Sequence, residues 1–136
     1  MARIPQEVTS LFSDPQAAKV MATVDAEGTV YASVRGKFNA ADEETVAFAD
    51  IAHVKRRPEF RPGQGVSIAV FKLPNFGYQI HGAFQGYQTS GEIFDTWAAM
   101  LKEGPGLGLD RVGLVKVDQI YSYASEDRSE HGTRIA

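Results

Sequence analysis

The 136-residue sequence predicts a mainly β domain: an antiparallel barrel of six strands accompanied by two or three helices. Three observations carry this. Six runs alternate apolar with polar or small residues, the period of a half-buried strand. The breaks between most of them are short and hold turn residues, so neighbouring strands join as hairpins. Only Glu92–Glu103 has a strong helical period, which leaves too few crossover helices for an open parallel sheet.

Taken in order, Pro5 to Phe12 forms a short helix with Val8, Leu11 and Phe12 on one face, ended by Ser13, Asp14 and Pro15. Ala18 to Val24 is the first strand, and Asp25-Ala26-Glu27-Gly28 is a hairpin turn in which Gly28 takes positive φ. Val30 to Phe38 returns as the second strand. Its alternation sets Val30, Ala32, Val34 and Gly36 on one face and Tyr31, Ser33, Arg35 and Lys37 on the other, a hydroxyl among cations. Asn39 to Glu44 reads as an acidic loop at a hairpin end. Thr45 to Ala49 is the third strand, and Asp50 is placed to cap a short helix.

The connector that follows holds His53, Lys55, Arg56, Arg57 and Arg61, broken by Pro58, Pro62, Gly63 and Gly65 before Val66 to Phe71 resumes the sheet. Four cations thus lie on one crossing between strands. A doubly charged phosphate needs several N–H donors at once, and each charge-assisted hydrogen bond contributes about 1.5–3 kcal/mol net. The competing interpretation is a solvated basic surface.

Leu73-Pro74-Asn75-Phe76-Gly77 is a turn, and Tyr78 to Thr89 a long strand bent or bulged at Gly82 and Gly86. The helix Glu92–Glu103 carries Ile93, Trp97 and Leu101 in one line with Phe94 and Met100 beside it, a packing stripe. The glycine-rich Gly104 to Leu109 follows a helix and precedes a strand, the reverse of a dinucleotide-binding loop, so it is a connector. Arg111 to Tyr123 is the last strand, and the polar tail from about residue 125 is expected to be mobile.

Composition narrows the function. A single domain, 1–136, with formal charge −3 has no affinity as a whole for nucleic acid, and the absence of cysteine removes thiolate nucleophiles, disulfides and cysteine-held metals. His53, His81 and His131 lack the spacing of metal ligands, so no metal site is assigned. The start, MARIPQEVTSLF, has no apolar core of signal-peptide length, and no run is long enough to span a bilayer; the expectation is a cytoplasmic protein with no membrane partner.

The succession VMATVDAEGTVYASVRGKF, TVAFADIAHVKRRPEF, GVSIAVF and YQIHGAFQGYQT resembles that of the pyridoxamine-5′-phosphate-oxidase-like family over most of the chain. The resemblance implies a six-stranded antiparallel split β-barrel of the FMN-binding type. It implies that the FMN phosphate is gripped by Ser33 and Arg35 on the second strand and by Lys55 and Arg56 on the connector, with Val34 also among the cofactor-binding residues and the flavin ring against the backbone of Phe48, Ala49, Asp50 and Ile51. It also implies a homodimer with two flavins at the interface. Because the flavin carries the hydride or electron chemistry, no catalytic side chain is assigned.

The expected activity is that of a flavin-dependent oxidoreductase acting on a small molecule, with Tyr78, His81 and Tyr87 as possible substrate contacts. The alternatives are a non-enzymatic FMN-binding electron carrier, and relatives that bind a deazaflavin or, through His53 or His81, haem. The C-terminal SEDRSEHGTRIA lacks the Arg- and His-rich pattern of true pyridoxamine phosphate oxidases, which argues against that particular activity.

Overall fold

The computed structural model of the chain describes residues 2–25, 27–34, 38–51, 60–72, 76–123 and 133–136. The elements are α1 (Gln6–Phe12), β1 (Ala18–Val24), β2 (Val30–Val34), β3 (Phe38–Asp42), β4 (Thr45–Ile51), β5 (Gly65–Lys72), β6 (Phe76–Gln88), α2 (Glu92–Glu103), β7 (Leu109–Tyr123) and β8 (Thr133–Arg134). Every ladder is antiparallel, in the order β2-β1-β5-β6-β7-β4-β3, with β8 added beside β7.

This order forces the sheet to curl. β2 and β3 lie at opposite edges, yet only residues 35–37 separate Val34 from Phe38. Four Cα-to-Cα steps reach at most about 14 Å, so the two edges must come round to face each other. Among the described residues no ladder joins them. The result is a split barrel, the fold class expected.

The inward faces of the strands supply the core: Met21, Phe38, Val46, Phe48, Val66, Ile68, Val70, Ile80, Phe84, Val115, Val117 and Ile120 are all buried, and α1 adds Val8, Leu11 and Phe12. Phe48 sits at the centre of the rings, 5.7 Å from Phe60 and 6.2 Å from both Phe38 and Phe84. A second, smaller cluster forms outside the barrel, where Trp97 of α2 covers Ala47, Ala49 and Val112 of β4 and β7.

Bulges at β6 have the cause foreseen from its glycines: register shifts fall between His81 and Gly82 and between Phe84 and Gly86. A Cβ at Gly82 would overlap the Lys116 carbonyl, so the strands close up there only because the side chain is absent. Gly28 takes φ of 85° in the β1–β2 turn, where Asp25 Oδ1 accepts the backbone N–H groups of Glu27 and Thr29 at 2.9 Å.

Three expectations are corrected. Asn39 to Glu44 is not a loop: Phe38–Asp42 is β3, paired with β4, because Phe38 points inward against Phe12 and Phe48 and gives that short polar segment an anchor. Asp50 lies inside β4, which runs on to Ile51, and its carboxylate meets Arg111 on β7. The chain end is not wholly mobile, since Thr133–Arg134 pairs with Ser122 and Tyr121 and Ile135 N–H donates to the Ile120 carbonyl at 2.8 Å. With β3 and β8 the strands among the described residues number eight where six were expected.

Candidate functional site at the split of the barrel

Of the residues expected to hold a cofactor, Ser33 and Val34 lie on the edge strand β2, and Phe48, Ala49, Asp50 and Ile51 lie on β4, one strand in from the opposite edge β3. Ser33, half-buried on β2, is paired with Met21 of β1, and Val34 ends that strand 82% exposed. Across the split, Phe38 opens β3 opposite Phe48 of β4. Val34 is therefore no more than about 20 Å from Phe48, the 14 Å reach above plus one pair spacing of about 5.5 Å. Arg35, Lys55 and Arg56 lie outside the described residues, as does His53.

The four positions at the end of β4 divide by face. Phe48 and Asp50 point into the barrel and are 0% and 1% exposed; Ala49 points out under α2, and half-buried Ile51 packs with that same outer cluster. The side chains of Phe48 and Ala49 are thus taken up by packing. Gly113, opposite Phe48 on β7, admits the Phe48 ring, which a Cβ there would overlap.

Both ends of the basic connector are tied down. At its entry, Arg111 Nε donates to Asp50 Oδ2 at 2.8 Å, and the same guanidinium lies 3.6 Å from the centre of the Tyr87 ring. At its exit, Phe60 is buried against Phe48 and Phe84, so the chain re-enters the fold on the aromatic group it left from. Gln64 then clamps the loop: Nε2 donates to Thr23 Oγ1 at 2.8 Å and to the Val24 carbonyl at 3.1 Å, while Oε1 accepts Arg61 N–H at 3.0 Å.

On the outer face of the sheet a second feature appears. A groove of about 420 Å³ lies between β1, β5 and β6, lined by apolar Ala22, Val24, Val30 and Val66 and by Ser67 and His81. Beside it Tyr123 OH donates to Gln79 Oε1 at 2.7 Å and Gln79 Nε2 to Ser67 Oγ at 3.1 Å, and the His81 and Tyr121 rings meet edge to face at 5.7 Å. Of the expected substrate contacts, His81 faces this groove. Tyr78 is instead a core residue, its phenol pKa raised by burial and then by the Glu7 charge, and Tyr87 turns inward after the Gly86 bulge to meet the Phe84 ring edge to face.

Sequence reasoning missed the Asp50–Arg111–Tyr87 group and the Gln64 clamp. The first joins residues 61 positions apart, and its only trace was a lone Asp in an apolar strand. Among the described residues no three imidazole, thiol or carboxylate side chains gather as a metal site would require, and no helix is long and apolar enough to cross a membrane.

No protein-family model and no curated protein matches the sequence. Solved structures do. HupZ of Group A Streptococcus superimposes with a TM-score of 0.77 at 21% identity, over 98% of this chain and 99% of that one. An FMN-binding protein from Syntrophomonas wolfei gives 0.69 at 15% identity, over 86% and 84%. HutZ, the haem storage protein of Vibrio cholerae, gives 0.56 at 18% identity, over 92% and 99%. At these identities the likeness establishes fold alone: the chain shares a split barrel with these structures, the FMN-binding and the haem storage protein among them.

Proposed function

We propose that this protein binds FMN at the split of its barrel and serves as a flavin-dependent oxidoreductase on a small molecule. The observation that carries the reading is the topology: the edge bearing Ser33 and the strand feeding the basic connector are brought to one place by a three-residue link that itself contains Arg35 and Lys37. In this reading Ser33, Arg35, Lys55 and Arg56 hold the phosphate, and the main chain from Phe48 to Ile51 backs the ring. FMN supplies the electron chemistry; the protein binds it and excludes water.

The working unit is a homodimer. Val24, Val30 and Val34 are 49%, 69% and 82% exposed on the outer face of β1 and β2, a hydrophobic strip of the kind a second copy covers. A cytoplasmic location goes with the reading.

The test is titration of the apoprotein with FMN, followed by flavin fluorescence. Saturable quenching is expected, weakened at least tenfold in the Lys55→Ala/Arg56→Ala variant; unchanged affinity in that variant would refute the phosphate assignment. NADH oxidation by the loaded protein separates an enzyme from an electron carrier. A second reading, haem binding, is favoured by one observation, the half-buried His81 in the outer groove. It predicts a Soret band on haem addition that disappears in His81→Ala.

A further inference from the structure

Lys19 is 7% exposed, and burial along β1 alternates through Lys19, Met21 and Thr23, so its side chain faces the barrel interior. Its immediate neighbours leave that charge unanswered. Ala17 and Met21 flank it along the chain, and Val70 stands opposite on β5. The carboxylate that feels it is Asp14, which is already bound to Lys72 at 2.9 Å. Among the described residues Lys19 makes no hydrogen bond and no ion pair. Lysines are almost never buried to this degree without a partner, because withdrawing an ammonium from water is costly. Its nitrogen is not sealed from solvent, so a dissolved anion can supply the partner that the chain does not.

The place of Lys19 says which anion. Met21 pairs with Ser33 of β2, and partners across a ladder share a face, so Ser33 points into the same interior. Lys19, two residues from Met21, lies on the diagonal from Ser33, about 7–8 Å away between backbones. A four-carbon stem covers most of that distance. We infer that Lys19 is a further ligand of the phosphate: its ammonium meets from inside the barrel the same group that Ser33 meets from the edge. The inference rests on the proposed FMN phosphate site at the split, and it adds a cation from β1 that stands outside the basic run of residues 55–61. Because packing already holds the stem, Lys19 loses less side-chain freedom on binding than an exposed lysine does.

FMN and riboflavin share the ring system and differ by the phosphate, so the ratio of their affinities isolates the anion contact. Titration of ligand-free Lys19→Met with each should show FMN affinity lowered tenfold or more and riboflavin affinity within twofold of wild type. Unchanged FMN binding in this variant overturns the inference, and so does an equal loss for both ligands, which would mark a packing role. If Lys19→Met does not fold, wild-type protein carrying isotope-labelled lysine decides: the side-chain NMR signal of Lys19 should shift on addition of FMN and not of riboflavin. A signal that responds to neither, or to both equally, overturns the inference. Wild-type protein that binds FMN no better than riboflavin would instead remove the phosphate site itself, and this inference with it.

Discussion

Gly113→Ala probes the contact on which the barrel interior is assembled. The Phe48 ring fills the space over Gly113, and an added Cβ would overlap three ring atoms. Phe48 cannot retreat freely, because Phe38, Phe60, Phe84 and Tyr87 surround it at 5.7–6.4 Å between ring centres. Overpacking of this kind costs about 1–3 kcal/mol. Against it stands the reduced freedom of the unfolded chain when glycine is replaced, which stabilises by about 0.4–1 kcal/mol.

The net loss is about 1–2 kcal/mol, which for a chain of this size lowers Tm by roughly 4–8 °C. Thermal unfolding followed by circular dichroism measures it. In Phe48→Leu/Gly113→Ala the shortened side chain relieves the overlap, so the double variant should lose clearly less than the sum of the singles. A Tm for Gly113→Ala equal to or above that of wild type, or strict additivity in the pair, would refute the packing account.

Two further outcomes are expected. Asp14, Asp25 and Asp42 each have a carboxyl pKa lowered from 3.8, chiefly by backbone N–H groups of Gln16, Thr29 and Glu44 respectively. A carboxylate whose folded pKa lies below its unfolded value contributes stability above the unfolded value and loses it as pH falls through the folded one. Tm should therefore drop on acidification below about pH 4, less steeply in Asp42→Asn; the same slope in that variant would contradict the assignment. Separately, the proposed homodimer should be seen in sedimentation velocity and become a monomer in Val34→Lys; a monomeric wild type, or a dimer unchanged in the variant, would contradict the proposed interface.

The sequence made the fold legible where side-chain period and glycine chemistry agree. The α2 stripe, the β1–β2 turn at Gly28 and the bulges at Gly82 and Gly86 were all readable, because each is a local rule. β3 was not, since Asn39, Ala40 and Asp42 have poor strand propensity and are held by a ladder to β4 and by Phe38 in the core. β8 owes its existence to pairing with β7 and nothing in its own two residues announces it. At the candidate site the cations proposed to bind phosphate were visible as a charge run. Arg111 was not, because its relation to Asp50 exists only once β4 and β7 are paired.

The central claim is that both sides of the split grip one phosphate, and a double-mutant cycle on FMN affinity with Arg35→Gln and Lys55→Gln tests it most directly. If the two side chains share that phosphate, each single variant weakens binding and the pair departs from additivity by about 0.5–3 kcal/mol. Losses that simply add, or a single variant that binds FMN as wild type does, would contradict it.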